Sequence, residues 1–420
     1  MMQLALSPGL VWPIAALSTA GVLFKPFRLA EAWWPCAGAV LLLLTGQLTF
    51  GELGQAVGKG SDVYLFLIGM MLIAELARST GLFDWVAALA VRRARGSAMR
   101  LFVIVYLVGT VVTVFMSNDA TAVVLTPAVL AAAKTAKLER PLPHLFACAL
   151  IANAASFVLP VSNPANLVVF STGMPDLSAW LGLFLVPSLI AIVVTFLMLY
   201  WSQRADLAGR ISTDVVVPEL STDAKIVAAG IGVMAAALLT ASSFGVDLGW
   251  PTCIAGAATF VLVLARSRKL AVTAARDMSW AVLPLVAGLF VLVAALSKIG
   301  VPGVLAGWLQ QLHENAPAWS VWAAGGATAL VSNVVNNLPA GLLAGATMAA
   351  SHASAHIRAA TLIGIDLGPN LSVTGSLATV LWLTSLRRES IEVSFLAFLK
   401  VGCVVMPVAL LACLAYLAML

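Results

Sequence analysis

Charge is scarce in this chain: only 10% of its 420 residues are Asp, Glu, Lys or Arg, against 61% hydrophobic residues. Soluble domains carry about a quarter charged residues, so a water-soluble enzyme and a disordered protein are both excluded. Cysteine is scarce too. Cys36, Cys148, Cys253, Cys403 and Cys413 are scattered, odd in number and free of any C-x-x-C pair, which excludes a disulfide framework and a zinc site. No basic residue precedes the apolar run from Leu4 to Leu23, and the first one is Lys25. A secretory signal carries its positive charge before the apolar stretch, so the run reads as a retained first helix. The small excess of 23 Lys and Arg over 18 Asp and Glu implies no nucleic-acid partner.

What fills the chain instead is apolar sequence in span-length pieces. A helix needs about 20 apolar residues to cross a bilayer, and roughly ten crossings fit. The fold class that follows is an all-α polytopic membrane protein with the lipid bilayer as its solvent. The segments 101 to 116 and 120 to 133 share a polar break at Ser117-Asn118-Asp119 and are flanked by basic loops, Arg92 to Arg100 and Lys134 to Arg140. Positive loops stay in the cytoplasm, so this pair enters and leaves on one side as a re-entrant hairpin. A second pair, 317 to 331 and 338 to 351, breaks at Ser332 to Asn337, and its flanks hold no Lys or Arg. It enters from the outer side. Placing loops 24 to 31, 78 to 100, 134 to 140, 202 to 225, 266 to 276 and 386 to 392 inside leaves only Lys59, Lys298, Arg358 and Lys400 elsewhere.

This assignment divides the chain into 1–201 and 225–420, joined by a cytoplasmic linker, 202–224, that carries Asp206, Arg210, Asp214, Pro218, Glu219 and Asp223. Each half has about five transmembrane helices and one re-entrant hairpin, 101–133 in the first and 317–351 in the second. The halves start on opposite sides, so they are inverted-topology repeats. Gly81 matches Gly300, and Met116-Ser117-Asn118 matches Val331-Ser332-Asn333. Val334 then stands opposite Asp119, and Ser162 opposite Asp366. Inverted repeats with interrupted helices mark secondary transporters.

After each hairpin comes a long apolar span, 143–173 and 357–385, broken in the middle by Ser162-Asn163-Pro164-Ala165-Asn166 and by Gly368-Pro369-Asn370-Leu371-Ser372. Proline has no backbone N–H and clashes with the preceding turn. In hydrocarbon no water repairs the damage, so side chains or a bound solute must. One such break is an ordinary proline kink; four, paired across two halves, form a binding site near the midplane. The windows 110 to 133, 153 to 172, 325 to 350 and 360 to 382 contain no Lys, Arg or His, and their only acids are Asp119 and Asp366. A lone carboxylate at the bilayer centre costs roughly 2.5–3.5 kcal/mol on insertion scales, so each takes a proton or a cation. Ser117, Asn118, Thr121, Ser162, Asn163, Asn166, Ser332, Asn333, Asn336, Asn337, Asn370 and Ser372 supply the lining. Amides and hydroxyls both donate and accept, which suits a neutral polyhydroxylated solute better than an anion, although helix N-termini at the breaks can also hold anionic oxygens.

The runs Met116-Ser117-Asn118-Asp119-Ala120-Thr121, Asn153 to Asn166, Ser332-Asn333-Val334-Val335-Asn336-Asn337-Leu338-Pro339 and Asp366 to Ser376 resemble, in order and over nearly the whole chain, those of ArsB-type arsenite/antimonite efflux permeases of the ion transporter superfamily. The resemblance implies a carrier rather than an enzyme, in the cell (inner) membrane, exporting trivalent arsenic and antimony against inward proton movement, without a cofactor and sometimes with a soluble ATPase partner. It also implies elevator-like motion. Arsenite at neutral pH is mostly the uncharged trihydroxide, which agrees with a lining of amides and hydroxyls and no cysteine. Asp119 and Asp366 are the proton-coupling candidates. A sodium-coupled carboxylate carrier or a sodium/proton antiporter of the same superfamily is the alternative, and an intramembrane transferase a further one. Elsewhere, Glu75 reads as an ion pair with Arg78 at a helix end, with a second-tier proton relay as the alternative; His352 and His356 read as part of a solvated outer loop, since their i, i+4 spacing finds no third ligand for a metal; Lys298 reads as an interfacial residue whose amine snorkels outward, and Arg92, Arg93, Arg95 and Arg100 as a topology anchor.

Overall fold

The computed structural model describes residues 8–24, 29–171, 173–212 and 215–420. Residues 4–7 of the first apolar run, Lys25 and Arg28 of the first basic loop, and Asp214 of the linker lie outside the described residues. The first half runs Pro8–Phe24, Trp33–Leu44, Phe50–Gly58, Ser61–Ser79 and Leu82–Ala94. Its hairpin follows, Ala98–Met116 and then Asn118–Ala120 continuing through a π turn into Thr126–Thr135. The broken span is Leu142–Ala154 with Pro164–Val169, and Leu177–Gln203 ends the half. The second half repeats the order: Thr222–Ser243, Gly249–Arg266, Arg268–Asp277, Val282–Lys298, Val301–Asn315, the hairpin Pro317–Val335 and Asn337–Ser351, the broken span Ala355–Leu367 with Leu377–Arg388, and Phe395–Ala418. The protein is thus an all-α polytopic membrane protein.

Local sequence explains where these helices begin. Ser97, Asp176, Ser221, Ser354, Ser376 and Ser394 each precede a helix and accept a backbone N–H of its first turn, satisfying a donor that would otherwise be orphaned. Gly81 and Gly300 have φ of 74° and 86°, a left-handed conformation that costs glycine nothing. Each turns the chain into the helix preceding a hairpin, as their matched positions in sequence predict.

Among the described residues, six helices are long and apolar enough to cross a membrane, or seven if the bent pair Phe50–Gly58 and Ser61–Ser79 counts as one span. Roughly ten are expected from hydropathy. The difference has a simple cause: several apolar stretches are short helices, such as Trp33–Leu44 and Leu142–Ala154, and the latter runs into a broken segment buried in protein, where an interrupted backbone finds partners.

The two halves interlock. Ser61–Ser79 packs on Gly249–Arg266, and its counterpart Val282–Lys298 packs on Trp33–Leu44. Ala355–Leu367 crosses Pro317–Val335 so closely that a Cβ on Gly364 would sit 2.2 Å from the Gly325 carbonyl oxygen. The chain between Gln203 and Thr222 is tied to the first hairpin. Ala98 N–H donates to Gly209 O (3.2 Å), Ile211 N–H to Gly96 O (3.1 Å) and Ser212 N–H to Ala136 O (2.8 Å). Arg140 pairs with Asp206, and Leu207 and Ile211 are buried beneath.

Candidate functional site

The site is built from two hairpin tips and two helix breaks. At the first tip Ser117, with φ 127°, separates Met116 from Asn118, and its Oγ accepts Ala120 N–H. Asn118 Oδ1 accepts Asp119 N–H at 2.9 Å. At the second tip the residue with positive φ is Asn336, at 74°. Its Oδ1 accepts Leu338 N–H and its Nδ2 donates to Thr374 O, both at 3.3 Å. Ser117 therefore corresponds to Asn336, and Asp119 to Leu338. The match of Ser117-Asn118 to Ser332-Asn333 falls one helical turn short, because Ser332 and Asn333 still lie inside Pro317–Val335. A chain reversal needs a residue that tolerates positive φ and accepts the next free N–H, and Asn does both.

At the breaks, most of the predicted side chains are occupied by unwound backbone. Asn166 Nδ2 donates to the carbonyls of Ser156, Leu159 and Pro160. Ser162 Oγ donates to Val114 O at 2.9 Å, tying the first break to the first hairpin. Asn333 Nδ2 donates to Gly368 O (2.9 Å), its Oδ1 accepts Ser372 Oγ–H (2.7 Å), and Asn337 N–H donates to Gly375 O (2.9 Å), tying the second break to the second hairpin. Thr121 meets Thr113 hydroxyl to hydroxyl at 2.8 Å, and Ser332 Oγ donates to Ala329 O.

Where the two breaks meet, the halves exchange hydrogen bonds. Asn153 Nδ2 donates to Asn370 Oδ1 (2.9 Å), and Asn370 Nδ2 donates to Leu150 O (3.0 Å). Asp366, fully buried, accepts Ser156 Oγ–H at 2.6 Å and Asn163 Nδ2–H at 2.8 Å. Asn153 and Asp366 are each the penultimate residue of the helix before a break, whereas Ser162 lies in the break itself. A continuous hydrogen-bonded chain thus joins hairpin, break, break and hairpin.

In front of this junction lies a cavity of about 70 Å³. Ser117, Asp119 and Ala120 of the first tip line it, with Pro164 and Leu377, which start the two half-helices after the breaks, and Glu75 of Ser61–Ser79. Asp119 is half-buried and its carboxylate meets no hydrogen-bonding side chain or backbone group among the described residues. Glu75 is buried and accepts Arg78 Nε–H at 2.7 Å, while Arg78 also pairs with Asp277 at 2.9 Å. Glu75, Val123, Val124, Ser279 and Leu381 belong both to this cavity and to a cleft of about 690 Å³ that carries Arg78, Asp84, Asp277, Arg388 and Glu389. The opposite cleft, of about 590 Å³ beside Lys59, Asp62 and Asp247, shares no lining residue with the cavity.

Of the residues picked from the sequence, Ser117 and Asp119 thus face the cavity. Asn163, Asp366 and Asn370 form the junction behind it. Asn118, Thr121, Ser162, Asn166, Ser332, Asn333, Asn336 and Ser372 brace the tips and breaks, and Asn337 Oδ1, like that of Asn153 and Asn166, is buried without a partner. Asn153 and Ser156 were not singled out, although both lie in the run that ends at Asn166. Glu75 makes its expected pair with Arg78 but also walls the cavity. His352 and His356 do not share a helix: His352 caps Asn337–Ser351 in a left-handed conformation, and the next helix begins at Ala355. Lys298 bonds Glu52 at 2.7 Å and Gln47 O at 3.2 Å rather than simply reaching for water.

This chain is similar over its length to known membrane proteins. The arsenical pump membrane protein of Escherichia coli K12 is 28% identical, covering 97% of each chain, and that of Yersinia enterocolitica is 27% identical, covering 94% of this chain and 95% of its own. In three dimensions the Alcanivorax borkumensis YdaH transporter superposes with a TM-score of 0.57 at 17% identity, over 88% of this chain and 87% of that one, and so shares the fold. Together with a match of residues 20–365 to the family model CitMHS, citrate transporter, these likenesses identify a membrane transporter, and the chain belongs to the CitMHS family.

Proposed function

We propose that the protein exports arsenite and antimonite from the cytoplasm in exchange for inward-moving protons. In this reading 1–201 and 225–420 are inverted repeats, and the hairpins and broken helices move together as an elevator-like unit against the interlocked helices Ser61–Ser79, Gly249–Arg266 and Val282–Lys298. The observation that carries it is the charge of the cavity: its ionisable side chains are Asp119 and Glu75, and no Lys, Arg or His lines it. A multiply charged carboxylate solute needs cationic donors to replace its hydration, and two acids repel it. A neutral trihydroxide is not repelled, and Ser117 offers it both a donor and an acceptor. Asp119 in the cavity and Asp366 behind it carry the coupling proton, and protonation and solute occupancy exclude each other.

The cavity joins the cleft on the side of the basic loops, which supports a conformation open to the cytoplasm. Uptake of radiolabelled arsenite by everted membrane vesicles, with an imposed interior-acidic proton gradient and without sodium or ATP, tests the proposal. Accumulation is expected. Dependence on sodium would favour the carboxylate-carrier reading, and no arsenite or antimonite uptake under any gradient would refute the proposal.

A further inference from the structure

The cavity has a face whose chemistry the hydrogen-bonding residues do not explain. Met70 and Met71 on Ser61–Ser79 and Met278, just before Val282–Lys298, all line it. Even scatter of the chain's 13 methionines over 420 residues would place fewer than one among so few lining positions. Met70 and Met278 are buried. Met70 and Met71 come from an interlocked helix and Met278 from the turn leading into another, whereas Ser117 and Asp119 come from the first tip, so the cavity is polar on one wall and rich in thioethers on the other. No cysteine lines it.

We propose that Met70, Met71 and Met278 form a soft-donor face that selects trivalent arsenic and antimony over hard neutral hydroxylated solutes, and favours antimony over arsenic. The inference rests on the transport reading above and names the basis of its selectivity. A thioether sulfur is polarizable and uncharged. It has no proton to give up, so it does not displace hydroxide from the metalloid as a thiolate does. The trihydroxide stays intact, no bond breaks, and the contact is a weak approach of sulfur to the electron-poor metalloid. Soft ligands prefer soft centres, and antimony is the softer and larger of the two. A carrier must also let go, and this form of capture dissociates without chemistry.

The test uses the full-length carrier in everted vesicles and measures KM for antimonite and for arsenite. Leucine closely matches methionine in volume, and such exchanges are well tolerated in packed interiors. In the triple variant Met70→Leu, Met71→Leu, Met278→Leu the antimonite KM is expected to rise by about fivefold more than the arsenite KM, which corresponds to about 1 kcal/mol of differential binding. If the triple variant does not accumulate in the membrane, Met278→Leu and the reverse change Leu67→Met, which adds a thioether to the same wall, replace it and should move the ratio in opposite directions. An unchanged antimonite-to-arsenite ratio in variants that still transport overturns the soft-donor face and leaves the export reading standing. Absence of transport of both arsenite and antimonite by the unmodified carrier overturns both readings.

Discussion

Replacing Asp366 with Asn should leave the protein folded and carrying arsenite, yet unable to concentrate it. The carboxylate accepts two hydrogen bonds, from Ser156 at 2.6 Å and Asn163 at 2.8 Å. An amide of the same shape keeps its oxygen on Asn163, and the Ser156 hydroxyl can turn to accept from the new NH2. The exchange trades two bonds to a charged or acidic group, worth about 1.5–3 kcal/mol each, for neutral ones worth about 0.5–1.5 kcal/mol each, so stability falls by about 2 kcal/mol. Asp366→Ala would instead strand two buried donors at roughly 1–3 kcal/mol each, which makes it the wrong variant for this question. Moving one proton inward across about 100 mV releases about 2.3 kcal/mol. At about 1.4 kcal/mol per tenfold, that sustains roughly a fiftyfold gradient of a neutral solute. Everted vesicles with an interior about 100 mV positive and no pH difference should therefore accumulate arsenite up to about fiftyfold with the unmodified carrier, and an acidic interior should raise that limit. With Asp366→Asn they should only equilibrate it, while exchange of labelled for unlabelled arsenite persists. Asp119→Asn is made in parallel. If both single variants still reach the unmodified gradient, neither acid carries the coupling proton.

Three further perturbations probe the geometry. Gly364→Ala puts a Cβ 2.2 Å from Gly325 O and 2.3 Å from Thr328 Oγ1, and this overpacking should cost about 1–3 kcal/mol or more, seen as a lowered Tm of the detergent-solubilised protein. Asn336→Ala loses the bond to Thr374 O and the cap on Leu338 and forces alanine to φ 74°, whereas Asn336→Gly keeps the backbone; the Ala variant should melt lower than the Gly variant by the roughly 1–3 kcal/mol such strain costs. Glu75→Gln removes the pair with Arg78, whose other partner is Asp277, and because Arg78 is 42% exposed the Tm should shift little. Proton-driven arsenite uptake should nevertheless slow by roughly tenfold, about 1.4 kcal/mol, and uptake at the unmodified rate would remove Glu75 from the pathway.

Much of this architecture was legible because membrane burial writes itself into composition. The first tip is expected after 116 and falls at Ser117, since a polar triplet between apolar runs is a strong signal. The second is expected between Ser332 and Asn337 and falls at Asn336; what misleads is the register, because Ser332-Asn333 repeats the letters of Ser117-Asn118 while the reversal depends on φ at Asn336. That is a backbone property with no sequence mark of its own. Asp366 stood out as an acid without a cation nearby in sequence, yet its donors, Ser156 and Asn163, come from the other half of the chain. Periodicity reports which face of a helix is apolar and not which distant break it meets. For the same reason the letters do not mark Asn153 as the partner of Asn370, and they set Glu75 beside Arg78 without showing that it walls the cavity: residues of an interlocked helix enter the cavity only once the halves are assembled.

The attachment of residues 209–212 to the first hairpin sets a leash on the whole machine. Eight residues, or nine Cα steps, separate Ser212, which bonds Ala136 O, from Ser221 at the cap of Thr222–Ser243. Fully stretched, such a tether reaches roughly 30 Å. Under the elevator motion proposed above, the hairpin's end beside this attachment stays within that radius of the second half, and shortening the tether by a few residues should arrest the carrier at one end of its stroke.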